Sequence, residues 1–69
     1  MTYDLVLDFS TVATRVAGSP QDAEAECLRL VSTVSGRHAK AVNCQTGFEV
    51  ARADFDSKTG QVTSKAVER

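Results

Sequence analysis

The one proline of this chain stands at position 20, inside the run SPQDAEAECLRLVSTVSG from Ser19 to Gly36. No other stretch constrains the fold so tightly, because its punctuation and its periodicity agree on a single helix. Ser19 is a natural N-cap, and Pro20 suits the first helical position, where the absent N–H would have had no partner anyway. Asp22 falls three residues past the cap, where the helix dipole favours a carboxylate, and Glu24 and Glu26 follow closely. Gly36 is placed to end the helix in a left-handed conformation. At about 100° per residue, Ala23, Cys27, Leu30, Val31 and Val34 gather on one face. Leu28 flanks that stripe, and Gln21, Asp22, Arg29, Ser32 and Thr33 face water.

A helix with one apolar face needs something to cover, and the rest of the chain is written in the period of strands. TYDLVLDF alternates, placing Tyr3, Leu5, Leu7 and Phe9 on one face and Asp4, Val6, Asp8 and Ser10 on the other. TVATRVAG also reads as extended, but Val12, Thr14 and Val16 fall out of phase with Phe9. A bulge or bend near Ser10 and Thr11 reconciles the two, giving one long bent strand or two short ones. HAKAVNCQT alternates again, with His38, Lys40, Val42 and Cys44 on one side, before a turn at Thr46 and Gly47. FEVARADF begins the next strand, and DSKTGQ is a hairpin signal in which Gly60 supplies positive φ. With Asp56 and Gln61 flanking that loop, Phe55 pairs with Val62, Ala53 with Ser64 and Ala51 with Ala66. Arg52 then lies beside Lys65 on the opposite face. Phe48 and Val50 differ in parity from Phe55, which predicts an irregularity near the start of the strand. The expectation is one small α+β domain over residues 1–69: an antiparallel β-meander of four to five strands with one α-helix packed on one face, in β(β)αβββ order.

At 69 residues the chain is near the lower limit for a single unstapled core, and its 42% apolar content argues against disorder. It has no apolar run of about 18 residues, so no membrane span is expected. MTYDLVLDF has acids and no basic leader region, so the expected setting is the cytoplasm. Residues 1–36 carry five acids against two bases, and residues 37–69 carry six bases against four acids. Such asymmetry can mark a surface that faces a polyanion, but an excess this small fits a merely solvated surface better, and free-standing nucleic-acid binding usually takes a more basic domain.

The residues of catalysis are sparse. Cys27 and Cys44 are too far apart for a CxxC motif, and one histidine, His38, cannot complete a four-ligand site, so neither metal nor cofactor is expected. Cys27 lies mid-stripe on the helix and reads as a small buried hydrophobe. A Cys27–Cys44 disulfide is geometrically possible, but a cytosolic setting disfavours it. Asp4 and Asp8 share a strand face too far apart for paired acid–base work, and Gly47 and Gly60 belong to turns rather than a phosphate loop. The chain is read as a non-enzyme. Three surfaces remain: the cations Arg37, His38, Lys40, Arg52 and Lys65 at the helix exit and on the sheet face away from the helix; the acidic helix start with Asp4 and Asp8; and the strand edges, which can add to a partner's sheet or form a weak homodimer, with Lys65 and Arg15 as candidate edge guards.

In size, element order and pattern, with VAGSPQDAEAECLRLV leading into one helix and HAKAVNCQTGFEVARADFDSKTGQVTS as a meander, the chain resembles small phage-encoded anti-CRISPR proteins that inhibit type I systems. The resemblance implies a non-enzymatic inhibitor in the host bacterial cytoplasm. It would bind Cas subunits of a type I-C or I-F Cascade complex and block target DNA. The positions it implies for partner binding are Arg29, Arg37, Lys40, Arg52 and Lys65. Two other classes fit the same residues: an immunity or antitoxin-like accessory module, and a small nucleic-acid-binding protein.

Overall fold

The computed structural model describes residues 1–33, 38–56 and 58–67. Its elements are β1 (Thr2–Leu7), β2 (Ser10–Ala17), α1 (Pro20–Thr33), β3 (His38–Asn43), β4 (Glu49–Asp56) and β5 (Gln61–Ala66). All five strands form one antiparallel sheet in the order β2-β1-β3-β4-β5, with α1 on one face, so the α+β fold is as expected. β3, β4 and β5 form a meander. The N-terminal hairpin joins it through β1, so the chain crosses the sheet as α1 and returns beside its first strand.

The two N-terminal strands are separated by a turn that alternation alone does not reveal. Leu7 pairs with Ser10 across Asp8 and Phe9, whose φ angles are +47° and +71°. Positive φ at both central residues is the type I′ geometry, whose twist matches that of the flanking strands. Phe9 was expected on the buried face with Tyr3, Leu5 and Leu7; instead it is 92% exposed. The turn lifts Asp8 and Phe9 out of the strand, so the alternation ends at Leu7. The phase error along β2 is absorbed by two register shifts against β1, one around Val12 and one around Thr14 and Arg15, where Arg15 has φ +52°.

Ser19 and Asp22 cap α1 reciprocally. The Asp22 N–H donates to Ser19 Oγ at 3.2 Å, and the Ser19 N–H donates to Asp22 Oδ2 at 2.9 Å. This is a capping box with aspartate in the place of the usual glutamate. The bond from the Ser19 N–H, with a further one from the Ser19 hydroxyl, holds the Asp22 carboxyl below its ordinary pKa. The expected C-terminal cap at Gly36, and Val34 on the stripe, lie outside the described residues.

Ala23, Cys27 and Val31 from α1 meet Tyr3 and Leu5 of β1, Ala39 and Ala41 of β3, and Val50, Ala51 and Ala53 of β4 in the core. The floor beneath the helix is largely alanine, which lets α1 sit close. The helix lies over β4, with β5 and β3 to either side, touches β1 and does not reach β2. The last hairpin has the expected register, Phe55 with Val62, Ala53 with Ser64, Ala51 with Ala66 and Arg52 with Lys65. Its loop closes by the Gly60 N–H donating to the Asp56 carbonyl at 2.8 Å, with Gly60 at φ +72°. The irregularity expected at the start of β4 is a register shift that leaves Val50 as the extra residue, so that Val50 and Ala51 are both buried.

Candidate interaction surface

The sheet face opposite α1 has no covering layer among the described residues, and the strand registers set its pattern. Thr11, Val6, Lys40, Arg52 and Lys65 form one row across all five strands. His38, Asp54 and Thr63 form the neighbouring row, and Asp4, Val42 and Glu49 flank the other side. Three cations therefore stand directly opposite one another on adjacent strands, an arrangement that is destabilising unless an acid intervenes. One does: Glu49 takes Arg52 in a fork, with Nε at 2.9 Å from Oε2 and an Nη2 contact of 3.0 Å to Oε1. Among the described residues no ion pair takes Lys40 or Lys65. A depression of about 310 Å³ lies between β4 and β5, lined by Arg52, Asp54, Thr63, Ser64 and Lys65.

His38 lies next to this row, and its Nδ1 contacts Asp54 Oδ1 across the β3–β4 ladder. At the far corner, Asp4 Oδ1 accepts the Arg15 N–H at 3.0 Å and the Cys44 thiol at 3.1 Å. These bonds hold the Asp4 carboxyl below its ordinary pKa. So Asp4, exposed in sequence reasoning, is a fastener between the bulge of β2 and the turn after β3. Asp8 is not on this face, because it is in the hairpin turn.

Of the five positions singled out from the sequence, Lys40, Arg52 and Lys65 come together in one row. Arg29 does not join them. It lies on the exposed side of α1, on the other layer, and pairs with Glu26 at 2.6 Å, a bond that raises the pKa of its guanidinium. Arg37 lies outside the described residues. Sequence reasoning missed the roles of Glu49 and Asp54. Glu49 reaches Arg52 within β4 because the Val50 bulge puts the two on one face, and Asp54 meets His38 through the β3–β4 register; no local pattern announces either.

Neither cysteine is paired: Cys27 is buried under the helix and Cys44 is exposed beside Asp4. Burial pushes the Cys27 thiol up to about 11, with Glu49, Glu26 and Glu24 adding in the same direction. A nucleophilic cysteine needs the opposite shift, so this thiol is packing. Among the described residues no three His, Cys, Asp or Glu side chains are grouped to hold a metal ion, and no helix is long and apolar enough to cross a membrane. Comparison of the chain with protein-family models, with curated proteins and with solved structures finds no match.

Proposed function

We propose that this chain is a non-catalytic inhibitor that docks through the open sheet face onto an acidic surface of a type I Cascade complex and blocks its binding of target DNA. The observation that carries the docking reading is the Lys40–Arg52–Lys65 row. It places like charges opposite one another on a face with no covering layer among the described residues, and of the three only Arg52 has an ion-pair partner there, Glu49. An external acidic surface would supply the missing counter-charges. The choice of Cascade rests on the resemblance in size, element order and pattern to anti-CRISPR proteins. Because its central row is cationic, it fits carboxylates on a Cas subunit and does not mimic DNA.

The test is phage plating on matched strains with active type I-C or I-F systems, with and without this protein expressed. Restored plaquing in one subtype, lost with a Lys40→Glu, Lys65→Glu double substitution, is the expected result. No rescue in any type I strain by soluble, expressed protein overturns the Cascade assignment. A nucleic-acid partner would instead give retention on DNA that falls steeply with salt. Glu49, Asp54 and Asp4 interleaved with the cations argue against that partner.

A further inference from the structure

The two edges of the sheet are built differently. β2 is spoiled as a template for another strand by two register shifts and by Arg15 at φ +52°. β5 has neither a bulge nor a proline: it runs against β4 in unbroken register, and its one charge, Lys65, is on the outer face. The Val67 N–H donates to the Val50 carbonyl at 2.7 Å. Because hydrogen-bonded pairs alternate in an antiparallel ladder, the N–H and C=O groups of Val62, Ser64 and Ala66 then point away from β4. The two sides of this edge also differ in chemistry. On the helix side, Ser64 Oγ donates to Glu24 Oε2 at 2.8 Å, which places that flank of α1 above β5. Leu28, one turn further along the same flank, is partly exposed, as is Phe55 opposite Val62. On the outer side lie Thr63 and Lys65, at the rim of the depression between β4 and β5.

We propose that β5 is a docking edge which takes an extended segment of a protein partner as an added strand. That segment carries apolar side chains on the helix side, against Leu28, Val62 and Phe55. It carries acidic side chains on the outer side, where a carboxylate enters the depression beside Lys65. Main-chain bonds to Val62, Ser64 and Ala66 supply affinity, and the alternation of side chains supplies selectivity. A second copy fits less well, because pairing β5 with itself about Ser64 turns the two Glu24 carboxylates toward one another. The inference deepens the docking reading above and rests on it only for the preference of the outer face for acids.

The experiment is an NMR titration of the labelled full chain with a short N-acetylated peptide alternating glutamate and valine, and with a lysine–valine control. The glutamate peptide is expected to bind with a Kd on the order of a millimolar and to slow amide exchange at Val62, Ser64 and Ala66 about tenfold at saturation. Ser64→Pro should keep the fold, since the N–H it removes lies outside the ladder, and abolish the response. Lys65→Glu should transfer the preference to the lysine peptide. No response at these three amides, equal response to both peptides, or an unchanged preference in Lys65→Glu overturns the proposal. So does a concentration-dependent dimer that protects the same amides without peptide. The readout is separate from phage plating, so failure of the Cascade assignment and failure of the docking edge are told apart.

Discussion

Phe9 occupies the second position of a type I′ turn at φ +71°, with its ring 92% exposed. A Cβ is strained there, by about 1–2 kcal/mol relative to right-handed backbone, and no packing offsets the strain. Phe9→Gly is therefore expected to stabilise the fold by about 1 kcal/mol, read as a higher urea midpoint at unchanged slope. A lower midpoint would mean that the ring contributes to the core. Cys27 gives a pH prediction. Its folded pKa of about 11 lies above the ordinary 9.0, so the unfolded chain loses this proton first. Stability should be full below about pH 9 and fall by roughly 2–3 kcal/mol as pH rises towards 11. Tyr3, whose pKa burial also raises, acts in the same direction from its own higher ordinary value. Chemical denaturation of Cys27→Ala across that range should show the early part of the slope flattened.

At the scale of elements, α1 depends on its cap and on the smallness of what lies beneath it. Ser19→Ala removes the acceptor for the Asp22 N–H and should cost about 1 kcal/mol in urea denaturation, with the fold retained. Ala53 is fully buried in the alanine floor beneath α1. Ala53→Leu should cost about 1–3 kcal/mol through overpacking and broaden amide resonances along α1. An unchanged midpoint would show that the helix can lift from the sheet. The elements were largely legible in the chain. Ser19, Pro20 and Asp22 specify the helix start within four residues, and the Asp56–Gly60 turn sets the β4–β5 register, because both are settled by contacts close in sequence. The hairpin at Asp8 and Phe9 was not legible, since Asp-Phe is not a turn dipeptide and the apolar alternation runs through it. That turn is imposed by the pairing of β1 with β2 on either side.

At the scale of the whole molecule, the sheet is unequal across its width. Helix α1 covers β3, β4 and β5, while β2 projects beyond the helix as a bulged edge. The row Lys40–Arg52–Lys65 spans the covered half on the opposite face. Lys65→Gln removes one like-charge neighbour of Arg52 and should raise the urea midpoint slightly, with the gain shrinking as salt is added. The same substitution should weaken rescue of phage plating. A gain in stability with no loss of rescue would show that the cation is not part of the docking surface. The grouping of Lys40 with Arg52 and Lys65 away from the helix was visible beforehand, and Arg52 beside Lys65 follows from one hairpin. Lys40 beside Arg52 and Asp54 on His38 required the β3–β4 register, and Glu49 on Arg52 required the bulge at Val50.

The sequence by itself determined the capped helix, the burial of Cys27, the last hairpin and the α+β class. Each of these is decided by side chains a few residues apart or by the period of one segment. Tertiary structure alone decided that β3 returns beside β1, that Phe9 leaves the core, and that three cations from two halves of the meander share one row. Those outcomes depend on which strand edge is free of bulges and on how one helix covers the sheet. Both are balances among distant contacts that no local pattern records.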